Sequence, residues 1–280
     1  MSSHGKPALL SDEDLIKEAV DIVAKAQEKN IILRVLGAIA VRIHSSHSPE
    51  ALRLYGKVGR LGEGKTQFTD IDLIGYSSQK KHIAIFFEKD LGFRTYPQVK
   101  VLLGGQRFIY YHPKDYYRVD IFFDKLEYSH TIYFGNKPGT GKSRLELDFP
   151  TITLTDLILE KLQIHDIAAK DIIDLIILLT AHEVSENDEA EKINGKYIAT
   201  ILADDWGFWY DATNNLKLVE EYATQLTNEK AIMDPQTFSF LMNNLRKLMS
   251  MIDVQPKTKN WQKRAQIGTS KLWYRKVENL

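Results

Sequence analysis

The sequence predicts an α/β protein with a mixed (α+β) sheet, in two parts: an α/β domain over residues 1–150 and a helical domain over residues 151–280. Three observations carry that prediction. Before Pro150, short runs rich in branched and aromatic residues (IILRVLG, DIDLIGY, RFIYYH, YYRVDIFF) alternate with helical patterns. After Pro150, apolar residues recur at helical spacing almost without interruption. The 280 residues suffice for two packed units, and a 44% hydrophobic and 26% charged content excludes wholesale disorder and fibrous architectures.

Each element has its own local signal. Ser11 precedes DEDLIKEAVDIVAKAQEKN, where Leu15, Ala19, Ile22, Val23 and Ala26 share one helical face behind an acidic first turn. IILRVLG then reads as a strand ending in a glycine turn, and AIAVRIHS continues it as a short buried helix. From Ser45 to Thr69, Gly56, Gly59, Gly62 and Gly64 lie among Arg53, Lys57, Arg60 and Lys65, a composition suited to a mobile, basic loop or lid with a short helix near its start. DIDLIGY is a strand, and QKKHIAIFFEKDLGF a helix closed by Gly92. RFIYYH and YYRVDIFF read as two paired strands. Beyond Pro150, LTDLILEKLQIHDIAAKDIIDLIILLTAHEV supplies one long or two consecutive helices. INGKYIATILADD, NNLKLVEEYATQL and DPQTFSFLMNNLRKLMSMI supply further ones, the last with proline in its first turn.

Thirty-seven basic residues balance thirty-seven acidic ones, so mean charge says nothing about a polyanionic partner; only the distribution along the chain can. The absence of cysteine excludes disulfides, thiolate metal sites and a cysteine nucleophile, and fits a reducing cytoplasm. The N-terminus lacks a signal-peptide core, and runs such as IIDLIILL are far short of a membrane span, so a soluble cytoplasmic protein without a membrane partner is expected.

Two stretches invite a phosphate-binding reading. GNKPGTGKS, Gly135 to Ser143, approaches the GxxxxGK(S/T) loop, but Asn136 stands where the first glycine belongs. It is followed by RLELDFPTITL, which alternates like a strand and carries a proline rather than opening a helix. A turn made by Asn136, Pro138 and Gly139 is the better reading.

The second is FTDIDLIGY. Side chains two apart in a strand leave the same face, so Asp70 and Asp72 stand about 7 Å apart at their Cα atoms and repel each other unless a cation lies between them. Asp120 interrupts the apolar strand YYRVDIFF, where a lone buried carboxylate is costly and a place beside a metal site is a natural way to avoid that cost; Asp124, four residues on, is the weaker alternative. Three carboxylates on neighbouring strands can hold two Mg²⁺ ions for in-line attack on the α-phosphorus of a nucleoside triphosphate, with Asp120 accepting the proton of the acceptor hydroxyl.

VLGAIAV (Val35 to Val41), DIDL (Asp70 to Leu73) and VDIF (Val119 to Phe122) follow the order of the nucleotidyltransferase-fold superfamily: strand, glycine turn into a helix, DxD strand, later carboxylate. TLTDLILEKLQIHDIAAKDIIDL, DDWGFWYDATNNL and KLWYRKVEN further resemble AbiEii-like toxin nucleotidyltransferases and related uncharacterised proteins. The resemblance implies a nucleotidyltransferase-like N-terminal domain followed by a helical one, and a catalytic metal triad of Asp70, Asp72 and Asp120. It implies Gly37 and Ala38 near the triphosphate, Lys161 reaching it, and Lys170, Asp171 and Asp174 flanking or bracing the site. It also implies Mg²⁺ or Mn²⁺ as cofactor, an NTP as substrate, a tRNA, protein or small molecule as acceptor, and an antitoxin partner for a toxin-like member. The sequence departs from the superfamily at Ala38, where Gly or Ser is usual, and in the long interval from Gly37 to Asp70, so a catalytically inactive nucleotide- or RNA-binding protein is the alternative.

Three further features have a plainer reading beside a functional one. His44 and His47 form an HxxH pair without a third ligand nearby in sequence, which favours local hydrogen bonding over metal binding. His130 is expected to pack structurally, and Trp206, Phe208, Trp209 and Tyr210 to form core. Between Val254 and Val277, Lys257, Lys259, Lys263, Arg264, Lys271, Arg275 and Lys276 are interleaved with Trp261, Trp273 and Tyr274, which suits RNA contacts or aromatic anchors for a last helix.

Overall fold

The computed structural model describes residues 10–61, 66–96, 98, 106–228 and 231–276. Its mixed α and β content divides into two units. The first gathers described residues of 1–43, 66–125 and 133–153; the second gathers those of 44–65, 126–132 and 154–280. The second unit thus takes two segments from the half of the chain before Pro150.

In the first unit, α1 (Asp12–Glu28) begins where Ser11 accepts a hydrogen bond from the Asp14 N–H, a cap that contributes on the order of 1 kcal/mol. Its buried face is the set of residues read from the periodicity: Leu15, Ala19, Ile22, Val23 and Ala26. Strand β1 (Leu33–Val35) leads through Leu36 into α2 (Gly37–His44). After β2 (Asp70–Gly75), helix α4 (Lys80–Ile85) widens into a π turn over Phe86–Asp90, with Gly92 beyond it at φ +70°. Strands β3 (Arg107–Tyr111) and β4 (Arg118–Phe123) pair antiparallel as expected. The four-stranded sheet has the order β1-β2-β4-β3; β1 runs antiparallel to β2, and β2 parallel to β4. Its core is Leu33, Val35, Ile71, Leu73, Val119 and Ile121, closed by Ile83, Phe86 and Phe87 from the α4 segment. Two short strands, β5 (Lys125–Glu127) and β6 (Thr131–Tyr133), pair separately.

Among its described residues the second unit is helical apart from most of β5 and β6 and the two-residue parallel strands β7 (Val184–Ser185) and β8 (Ile193–Asn194). Helix α3 (Pro49–Val58) is capped by Ser48, with proline at its first position, and is followed by Gly59 at φ +63°. The short helix expected near the start of the 45–69 segment is therefore present, ten residues long, and Ala51, Leu54 and Tyr55 give it a buried face that the expected mobile loop would lack. Gly62, Gly64 and Lys65, on which the lid reading also rested, lie outside the described residues. Two consecutive helices, α5 (Leu154–Leu162) and α6 (Ala169–Ala181), follow Pro150. Next come α7 (Gly195–Leu202), α8 (Trp206–Asn228), α9 (Pro235–Val254) and α10 (Lys259–Ala265). The Asp234 carboxylate caps α9 by accepting from the Gln236 and Thr237 N–H groups.

One expectation fails in the first unit. RLELDFPTITL does not form a strand: residues 144–150 make turns and bends, and Thr151 alone bridges to Val35. Local alternation there has no partner ladder to stabilise it.

Candidate functional site

The parallel register of β2 and β4 aligns the predicted carboxylates. Asp70 lies opposite Arg118 and Asp72 opposite Asp120, while Ile71, Leu73, Val119 and Ile121 turn to the buried face. One carboxylate oxygen each from Asp70, Asp72 and Asp120 lies within 4.8 Å of the others. Asp70 and Asp72 are half-buried, whereas Asp120 is 1% exposed and forms the floor of the group.

Two arginines that sequence reasoning missed neutralise this floor. Arg107 donates to Asp120 Oδ2, and Arg118 Nη2 lies 3.0 Å from the same oxygen and 3.2 Å from Asp70 Oδ2. Burial pushes the Asp120 carboxyl up from its ordinary value, and the two guanidiniums pull it back only in part. The other oxygen, Asp120 Oδ1, is buried and has no hydrogen-bond partner among the described residues. A buried, unsatisfied carboxylate oxygen and two neighbouring carboxylates are groups that could hold a divalent cation. Arg118 was legible as the residue two before Asp120 on the same strand face; Arg107 required the β3–β4 register.

Gly37 lies against Asp72. Its φ is +70°, and a Cβ built on it would lie 3.1 Å from Asp72 Oδ2. The left-handed turn and the missing side chain bring the start of α2 against this carboxylate, where helix N–H groups favour negative charge. The backbone continues the contact, with Leu36 N–H donating to the Asp72 carbonyl at 3.0 Å. Ala38 is half-buried in the first turn of α2. Asp124, the weaker alternative, accepts from the Ser77 N–H at 2.7 Å at a left-handed corner (φ +64°).

The residues expected to assist from the helical half lie in the second unit. Lys161 is buried, with its ammonium 3.1 Å from Asp174, 3.2 Å from Asp171 and 3.5 Å from Glu160. Arg60 adds a contact of 3.1 Å to Asp174, which is 0% exposed. Desolvation alone would lower the Lys161 pKa, but the three carboxylates outweigh it and raise it, so the ammonium is locked in its charged form. Lys170, by contrast, is exposed.

GNKPGTGKS is a self-contained turn. The Ser143 hydroxyl donates to the Lys137 carbonyl and accepts from the Thr140 N–H, and the next helix begins only at Leu154. At the C-terminus, Trp273 donates to Asp211 at 3.0 Å and packs edge-on against Trp206 and Tyr210, while Trp261 packs against Trp209. Arg264 lies over Trp206 and donates to the Gly268 and Lys271 carbonyls. These contacts are those of anchors. His130 is packed as expected, stacked on Phe208 and 2.7 Å from Asp211. The histidine pair does find further ligand types, since His182 and Glu191 converge on His47.

No protein family, curated protein or solved structure matches the chain. Among the described residues, no helix is long and apolar enough to cross a membrane.

Proposed function

We propose that the chain is a divalent-cation-dependent nucleotidyltransferase that moves a nucleoside monophosphate from an NTP to an acceptor hydroxyl. The observation that carries this reading is the convergence of one carboxylate oxygen each from Asp70, Asp72 and Asp120 on two paired parallel strands, with Asp120 Oδ1 buried and without a hydrogen-bond partner among the described residues. These three carboxylates would hold Mg²⁺ or Mn²⁺, and the close approach at Gly37 leaves the donor set uncovered by a side chain on that side. When bound, the cation neutralises phosphate charge and orients attacking and leaving oxygens.

The remaining work falls to the chain's own groups. The first turn of α2, from Gly37 and Ala38, would face phosphate oxygens with the positive end of the helix. Asp120 would also stand where it can take the acceptor proton, while Arg107 and Arg118 hold Oδ2 and fix the carboxylate's orientation. The acceptor class extends from RNA to protein or a small molecule, and a toxin-like role with an antitoxin partner rests on the sequence resemblance alone.

The test is transfer of label from α-³²P NTPs in the presence of Mg²⁺ or Mn²⁺ to cellular RNA and protein. Wild type is expected to label an acceptor, and Asp70→Asn and Asp72→Asn to leave it unlabelled; label that survives both substitutions would overturn the proposal. One observation favours a second reading, a nucleotide-binding protein without turnover: the Asp120 charge is already met by two guanidiniums. An NTP-dependent thermal shift in wild type without any transfer would select it.

A further inference from the structure

We propose that the helical unit carries a second, chemically distinct cation site, built from His47, His182 and Glu191 and braced by His44, that takes Zn²⁺. The four residues come from separate places in that unit. His44 ends α2, and His47 ends the 3₁₀ turn Ser45–His47. His182 directly follows α6, and Glu191 lies between β7 and β8 at φ +54°. One ligand atom each from His47, His182 and Glu191 lies within 4.8 Å of the others, and the His47 and His182 rings sit 5.0 Å apart.

Hydrogen bonding sets the tautomers. His182 Nδ1 lies 3.0 Å from the Glu191 carbonyl oxygen, and His47 Nδ1 lies 2.9 Å from the His44 carbonyl oxygen. A carbonyl only accepts, so each Nδ1 carries the proton and each Nε2 carries a lone pair. The same arrangement orients metal-binding imidazoles in general, with the ring N–H fixed by a carbonyl or carboxylate. His182 is 2% exposed, and its Nε2 is buried without a hydrogen-bond partner among the described residues. That lone pair is an unmet acceptor on a ring that packs against the His47 imidazole and whose Nδ1 lies 3.6 Å from Glu191 Oε2.

His44 completes the outer layer. Its Nδ1 lies 3.3 and 3.4 Å from the two Glu191 carboxylate oxygens, a contact that steers the ligating carboxylate. The Glu191 side chain and the His47 ring are exposed, so the group opens to solvent on one side and is sealed by His182 on the other. Two neutral imidazoles and one carboxylate, without thiolate, suit Zn²⁺ with a water in the fourth position, whereas Mg²⁺ requires an all-oxygen shell. Tetrahedral ligands at about 2.0–2.1 Å from Zn²⁺ stand roughly 3.3 Å apart, so side-chain adjustments of about an ångström close the site.

The experiment uses the full chain, stripped with a chelator and titrated with Zn²⁺ against a chromophoric competitor, with Co²⁺ absorption reporting coordination geometry. Wild type is expected to bind about one Zn²⁺ per chain, and Co²⁺ to give the intense visible bands of tetrahedral coordination. His47→Ala and Glu191→Gln alter exposed side chains and preserve the fold, which circular dichroism verifies; each is expected to weaken Zn²⁺ binding at least about 100-fold, and His44→Ala about 10- to 100-fold. Asp70→Asn is expected to bind Zn²⁺ as wild type does, which separates this site from the sheet carboxylates. Zn²⁺ binding in His47→Ala equal to wild type, or loss of binding in Asp70→Asn, overturns the proposal.

Discussion

Each unit holds a group of three carboxylates and two cations, and the two groups behave differently. In the sheet unit the set is Asp70, Asp72 and Asp120 with Arg107 and Arg118; in the helical unit it is Glu160, Asp171 and Asp174 with Lys161 and Arg60. The formal charge is the same, minus one in each. What differs is closure. Around Lys161 every member is buried or nearly so, and the ammonium sits within hydrogen-bonding or ion-pair distance of all three carboxylates. Around Asp120 the arginines and Asp70 are partly exposed, and one buried oxygen has no partner. A closed group of this kind maintains a fold; an open one with an unmet acceptor is equipped to receive a ligand.

The contrast can be broken most decisively at Asp70. Asp70→Ala removes a donor of the open group and is expected to lower nucleotide transfer by on the order of 10³-fold or more. Its loss of a partly exposed ion pair should change urea stability by less than about 1 kcal/mol. Lys161→Met tests the closed group, since it leaves three buried carboxylates with one remaining cation and should cost about 3–5 kcal/mol in urea unfolding. Wild-type stability with weakened NTP binding would instead make Lys161 a ligand-facing residue and erase the distinction.

Smaller effects sharpen the picture. Gly37→Ala forces a side chain into a left-handed conformation and against Asp72, and should cost about 1–2 kcal/mol in melting experiments while weakening Mn²⁺ binding. Arg118→Gln removes a half-exposed guanidinium that competes for Asp70 and Asp120; stability should move by less than about 1 kcal/mol, and Mn²⁺ affinity measured calorimetrically should rise. Asp211, a closed carboxylate of the helical unit, supplies a pH signature. Desolvation pushes its carboxyl up, but hydrogen bonds from His130, Trp273 and His165 hold it below the ordinary value. That stabilisation is present above the ordinary carboxylate range near pH 3.9 and is lost as pH falls through the depressed folded value, so Asp211→Asn should flatten the acid limb of a stability–pH curve.

Much of this was legible in the text of the chain. Helix α1, the pairing of β3 with β4 and the proline-initiated α9 follow from caps, periodicity and residue type, which act over a few positions. The two-residue spacing of Asp70 and Asp72 put both on one face, and the oddity of a carboxylate among apolar and aromatic residues singled out Asp120. The alternation of RLELDFPTITL misled, because a strand also needs a neighbour to bond, whereas the short helix expected near the start of the 45–69 segment is α3, whose stability comes from its buried face.

The sequence by itself determined which residue types stand at which spacing, and thereby the helices, the strand faces and the candidate carboxylates, since dihedral preference and side-chain period are local properties. Only the tertiary structure decided which charges meet. It set Arg107 on Asp120, ringed Lys161 with carboxylates and brought His182 and Glu191 to His47, because Coulomb energy and metal ligation depend on distances of a few ångströms between residues that can lie far apart in the chain.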